Sequence, residues 1–165
     1  ELNGIRKGLL YPYIGNTDNY HCPGDKGMTQ HEGGYRSYSI TGLMNGEQNK
    51  AEDKAYYVKK TIEIRMPDKK CVFLSNVDPR GWNIGSWIMD YKLPEWGDPL
   101  TIWHNKKGTL GFADGHAEMR RWVDDSTIYI AENQKRPPYT IPKDSEDLTF
   151  MQKAYIPGKF NPSMQ

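Results

Sequence analysis

The dipeptide Asp114-Gly115 constrains this chain more than any other feature. It sits inside Thr-Leu-Gly-Phe-Ala-Asp-Gly-His-Ala-Glu-Met, between two stretches that alternate in character. A two-residue type I′ turn needs positive φ at both central residues, which Asp tolerates and Gly accepts freely. A turn of that type sets a register: Ala113 faces His116, Phe112 faces Ala117 and Leu110 faces Met119. Leu110, Phe112, Ala117 and Met119 then share one face. Thr109, Gly111, His116, Glu118 and Arg120 share the other. The expected hairpin is apolar on one side and polar on the other, which suits a ribbon lying on a core.

Composition sets the class around it. The chain has 165 residues, enough for one domain with its own core. Hydrophobic residues make up only 36%, aromatic residues reach 12%, and there are 16 glycines and 11 prolines. This mixture predicts short strands, many turns and a core built on Tyr and Trp. The net charge of +1 gives no field that calls for nucleic acid or an acidic surface. No stretch approaches the roughly 20 apolar residues of a membrane span.

Residues 1–14 hold Leu2, Ile5, Leu9 and Tyr13 at approximate helical spacing, with Pro12 as the expected stop. Gly15 to Gly34 is rich in turn residues. Pro23-Gly24 fits the centre of a type II turn, and Asp25 either ligates a cation or closes that turn through its own backbone, the second being the usual role of Asp there. His21 and His31 lack metal-ligand spacing and read as surface or hydrogen-bonded side chains. Tyr35–Thr41 alternates as a strand, and Ala55–Ile64 is either strand or helix. Lys54, Lys59, Lys60, Lys69 and Lys70 read as a solvated face.

Cys71–Ser75 is the best buried-strand candidate, and Trp82–Met89 is a further strand candidate. Trp82, Trp87, Trp96 and Trp103 are expected to pack in the core, although an exposed patch of them would suit a sugar. Residues 124–165 read as a long irregular tail. Thr127–Ala131 within it is either strand or helical turn. The run Asp144-Ser145-Glu146-Asp147 is suited to the start of a helix over Leu148–Tyr155.

His104, nine residues, then Asp114-Gly115 resembles the His-x9-Asp-Gly domain of prepilin-type, type II secretion pseudopilin-like proteins. His21-Cys22-Pro23-Gly24-Asp25 and Arg36-Ser37-Tyr38-Ser39-Ile40 are similar to that family's Cys-Pro-x-Asp segment and to the Ser-Tyr segment after it. The three matches fall in the family's order and cover roughly residues 20 to 122. The resemblance implies an α+β pseudopilin-like domain spanning 1–165. It would comprise an N-terminal helix remnant over 1–14, an antiparallel sheet of four to six short strands, and the tail over 124–165. It implies a non-enzymatic structural subunit of a secretion or pilus-like apparatus, whose partners are other pseudopilins or apparatus proteins. It implies a periplasmic or other extracytoplasmic location, with an inner-membrane anchor only through an N-terminal hydrophobic helix absent from this sequence. Met28, Trp82, Trp87 and Tyr91 are candidate contact residues. Export also leaves Cys22 and Cys71 either joined in a disulfide or free.

Chemistry at the motif finds little support. Asn105-Lys106-Lys107-Gly108 reads as a second turn that sets His104 beside Thr109, roughly 17 Å from Asp114 at ~3.4 Å per residue. His104 and Asp114 then share no ligand, while Asp114 and His116 can pair. Two ligands fall short of the about four that zinc takes. No metal or cofactor is expected, and His104, Asp114, Gly115 and His116 read as a structural turn and its anchor. There is no Gly-x-Ser-x-Gly elbow and no phosphate-binding glycine loop. The rival class is an exported carbohydrate-binding module that uses exposed aromatics. A small hydrolase built on His104 or His116 ranks last.

Overall fold

The computed structural model describes residues 1–25, 35–44, 56–76, 85–133, 139–140 and 144–158. Met28, His31, Lys54 and Trp82 lie outside the described residues. The chain is mixed α and β with a mostly antiparallel main sheet, in line with the α+β expectation.

Two short helices open the chain, α1 (Leu2–Arg6) and α2 (Tyr11–Ile14). Pro12 does not stop a helix here. It lies in the first turn of α2, where its missing N–H costs nothing. The strands are β1 (Tyr38–Thr41), β2 (Cys71–Ser75), β3 (Ser86–Trp87), β4 (Met89–Asp90), β5 (Glu95–Trp96), β6 (Lys107–Phe112), β7 (Ala117–Arg121) and β8 (Tyr139–Thr140). Helices α3 (Asp125–Asn133) and α4 (Glu146–Tyr155) follow β7. The five-stranded sheet runs β3-β1-β2-β6-β7, with β3 parallel to β1 and the other pairs antiparallel. A small second sheet runs β4-β5-β8. No helix among the described residues is long and apolar enough to cross a membrane.

Several expectations need correction. The described part of 124–165 is not an irregular tail, because it contains α3, β8 and α4. Thr127–Ala131 is helical, within α3. Ala55–Ile64 is neither strand nor regular helix where described. It is an irregular run with one 3-10 turn over Thr61–Glu63.

The core lies between the main sheet and α4, which packs against β2 and β4. Trp87, Trp96 and Trp122 are buried in it, as are Leu74, Leu110, Met151, Tyr155 and Ile156. Trp122 Nε1 donates to Thr101 O (2.9 Å) and Trp87 Nε1 to Pro99 O (3.3 Å), so these two rings satisfy their polar edges where they pack, whereas Trp96 Nε1 has no partner among the described residues. Gly108 lets this packing close up, since a Cβ there would lie 3.0 Å from the Trp122 indole and push it back by a few tenths of an ångström. Trp87 and Tyr91 belong to the core and are not free for contact with a partner. Lys70 also departs from expectation: it is 4% exposed, whereas Lys59, Lys60 and Lys69 are solvated.

α4 is fastened to the end of β7 by two carboxylates. Ser145 caps the helix by accepting from Leu148 N (3.0 Å). Asp124 Oδ2 accepts from Ser145 Oγ (2.7 Å) and Asp147 N (2.8 Å). In return Asp147 Oδ2 accepts from Val123 N and Asp124 N, both at 2.9 Å. Burial pushes the Asp147 carboxyl up, against these bonds, which pull it down.

Candidate functional site

The hairpin turns where expected but through a different loop. Gly115 N donates to Phe112 O (3.0 Å), and Phe112 N donates to His116 O (2.9 Å). Gly115 has φ 96°, while Asp114 is not among the positive-φ residues. A type I turn followed by a left-handed glycine makes a three-residue loop, Ala113-Asp114-Gly115, rather than the type I′ pair. The register therefore slips by one. Gly111 faces Ala117, Leu110 faces Glu118 and Thr109 faces Met119. A slip of one residue exchanges the faces of a strand. His116, Glu118 and Arg120 come to lie on the side of Leu110 and Phe112, and Met119 is left outside, 56% exposed.

At the tip Asp114 Oδ1 accepts from His116 N (3.2 Å) and lies 2.6 Å from His116 Nδ1. The His116 hydrogen bond holds the Asp114 carboxyl below its usual 3.8. The His116 ring stacks on Phe112, with centroids 4.4 Å apart and planes at 2°.

His104 goes elsewhere. It does not sit beside Thr109 as a second tight turn would require, because the turn lies earlier: Asn105 and Lys106 take positive φ, and Lys107 already begins β6. His104 Nε2 lies 3.1 Å from Cys22 Sγ. The Cys22–Asp25 turn presses on the same ring. Asp25 N donates to Cys22 O (2.9 Å), and a Cβ on Gly24 would come within 3.1 Å of Trp103 Cβ and 3.2 Å of His104 Cε1. Gly24 is not a positive-φ residue, so the turn is not type II. Glycine there permits a close approach that a Cβ would make tight.

The Ser-Tyr segment joins the same knot. Ser37 Oγ donates to Asp25 Oδ2 (2.6 Å) and lies 3.2 Å from His21 Nδ1. His21 Nδ1 also lies 2.7 Å from Tyr35 O, which fixes the proton on Nδ1, because a carbonyl only accepts. Ser37 N donates to Tyr20 O (2.9 Å). Burial, then the neighbouring Cys22 thiol, pushes Tyr38 up to about 12. Three segments that are far apart in sequence thus meet in one place.

The knot does not have the form of a nucleophilic site. Cys22 is 1% exposed, and no described residue orients His104 through its other ring nitrogen. An active thiol needs access to substrate and an oriented base. Cys22 and Cys71 are both free and buried rather than joined. Cys71 Sγ donates to Phe73 O (3.3 Å), and burial pushes its thiol up to about 12. Among the described residues no group of three or more His, Cys, Asp or Glu is placed to hold a metal ion. The structure brings together Cys22 with His104, and Asp114 with His116. It does not bring the two pairs together. Sequence reasoning missed the Ser37–Asp25 bond, the Cys22–His104 contact and the burial of Lys70. The common order of the three motif segments was the only signal for the first two.

No family model, no curated protein and no solved structure matches the chain.

Proposed function

We propose that the chain is the globular domain of a pseudopilin-like structural subunit, without catalytic activity, that works in a secretion or pilus-like apparatus at the extracytoplasmic face of a membrane. The observation that carries this reading is the knot. Cys22–His104 (3.1 Å) and Ser37–Asp25 (2.6 Å) tie the segment that follows the N-terminal helices to the main sheet. A fibre subunit needs such a joint, because load must pass between its helical end and its globular end. Apolar side chains on and beside α2 add support. Leu9 is 90% exposed and Tyr13 is 89% exposed, a surface suited to a neighbouring subunit. The glycan reading loses ground at Trp87 and Trp96, which are core residues, while Trp103 is half-buried and Trp82 lies outside the described residues.

The test uses the full-length gene product in its native host, carrying Leu9→Cys or Tyr13→Cys. Bifunctional thiol cross-linking of the membrane fraction is expected to give a ladder of multimers or adducts with other prepilin-type subunits. A monomer in every fraction overturns the proposal.

A further inference from the structure

The one-residue register slip leaves an unfilled trough. It places His116 and Glu118 on the inner side of β7, beside α4, where apolar side chains would otherwise close the gap. The space that remains is about 450 Å³, within the ~300–1,000 Å³ usual for small-molecule sites. The hairpin tip, α4 and the 3-10 turn Pro67–Lys69 supply its walls.

Lys70 makes this trough more than a packing defect. It is 4% exposed and lines the cavity. Its ammonium donates to Lys153 O (2.5 Å), and among the described residues no carboxylate lies within ion-pair distance of it. An ammonium carries three donors, and a buried charge is expensive unless it is paired and hydrogen-bonded. Burial pulls the Lys70 pKa down, and Lys69 beside it pulls the same way. The apolar part of the lining is Met66, Phe112, Phe150 and Ala154.

We propose that this trough binds a small monocarboxylic acid with an aromatic or branched aliphatic body, its carboxylate on the Lys70 ammonium and its body against Phe112 and Phe150. Charge complementarity selects the anion. Three lysines, Lys69, Lys70 and Lys153, line the trough against two carboxylates, Asp68 and Glu118, so one negative charge balances it and a monoacid fits better than a diacid. The inference does not depend on how the chain assembles.

Residue-resolved NMR titration of the wild-type chain with phenylacetate and with neutral phenylacetamide tests it. Saturable shifts at Lys70, Phe112 and Phe150 are expected. Phenylacetate should bind at least about tenfold tighter than the amide, as a charge-assisted hydrogen bond implies. Lys70→Met keeps most of the side-chain volume and should abolish that preference. If the variant does not fold, the wild-type comparison of the two ligands decides alone. Equal affinities, shifts confined to other residues, no saturable shifts, or a preference that survives in the folded variant would overturn the proposal.

Discussion

His104 and Asp114 belong to one short stretch, yet they live in opposite environments. His104 is gripped from above by the Cys22–Asp25 turn and meets a thiol that is 1% exposed. Asp114 stands in solvent at a hairpin tip and holds only its near neighbour His116. Strand β6 (Lys107–Phe112) fills the distance between them. The nine-residue spacing therefore measures a strand that runs from an anchor to a turn, and it does not describe a ligand set. One end is a fastening between distant segments, and the other is a local solution to reversing the chain.

The comparison can be broken most sharply at the thiols. Without reductant, native protein should show neither Cys22 nor Cys71 reacting with a thiol reagent at pH 8. Both should react once the chain is unfolded, since both are buried and the Cys71 thiol sits at about 12. Absence of free thiols after unfolding would reveal a disulfide and undo the description of the knot.

The next effect is His104→Ala. It removes a half-buried ring that the turn rests on and strips Cys22 of its partner, so a loss of about 2 kcal/mol in urea unfolding is expected. A loss no greater than that of an Asp114 substitution would erase the contrast between the two ends.

Gly115→Ala should cost about 1 kcal/mol, because φ 96° strains any side chain although nothing lies within 4 Å of the new Cβ. A thermal scan without a shift would mean that the loop simply changes turn type.

The smallest effect is electrostatic. The Asp114 carboxyl is held below 3.8 in the folded chain. A depressed carboxylate contributes stability that is present above its unfolded value and is lost as pH falls through the folded value. Carbon-detected NMR should place its midpoint below 3.8 and return it to the usual value in His116→Ala. Because the pair is exposed, salt should weaken the shift. An unchanged midpoint in the variant would show that the backbone bond from His116 N does the work alone.

Much of the architecture was legible in the residues. Cys71–Ser75 read as a buried strand, Asp114-Gly115 as a bend, and the acidic start of Glu146–Tyr155 as a helix N-terminus. The register was not legible. Pairing Phe112 with Ala117 and Leu110 with Met119 gives a neater apolar face than the true pairing does, yet the glycine conformation of the three-residue loop decides the matter. The tail read as irregular outside its one expected helix because the rest of its order is tertiary. Asp147 is a buried carboxylate whose partners are backbone groups at Val123 and Asp124, and nothing local announces that. The site was half legible. Motif order brought Cys22, Ser37 and His104 into one view, but Cys22 and His104 are 82 residues apart, and spacing alone could not set them in contact. Lys70 was misread because one lysine in a basic run looks like the next.

The exchange of hydrogen bonds between Asp124 and Asp147 has a kinetic meaning. The amide protons of Val123 and Asp124 are shielded by a carboxylate that belongs to a different element. Their exchange with deuterium should follow departure of the last helix, while the amides inside the hairpin should wait for the sheet itself to open. Two neighbouring stretches of backbone would then keep separate clocks, and the slower one would time the core.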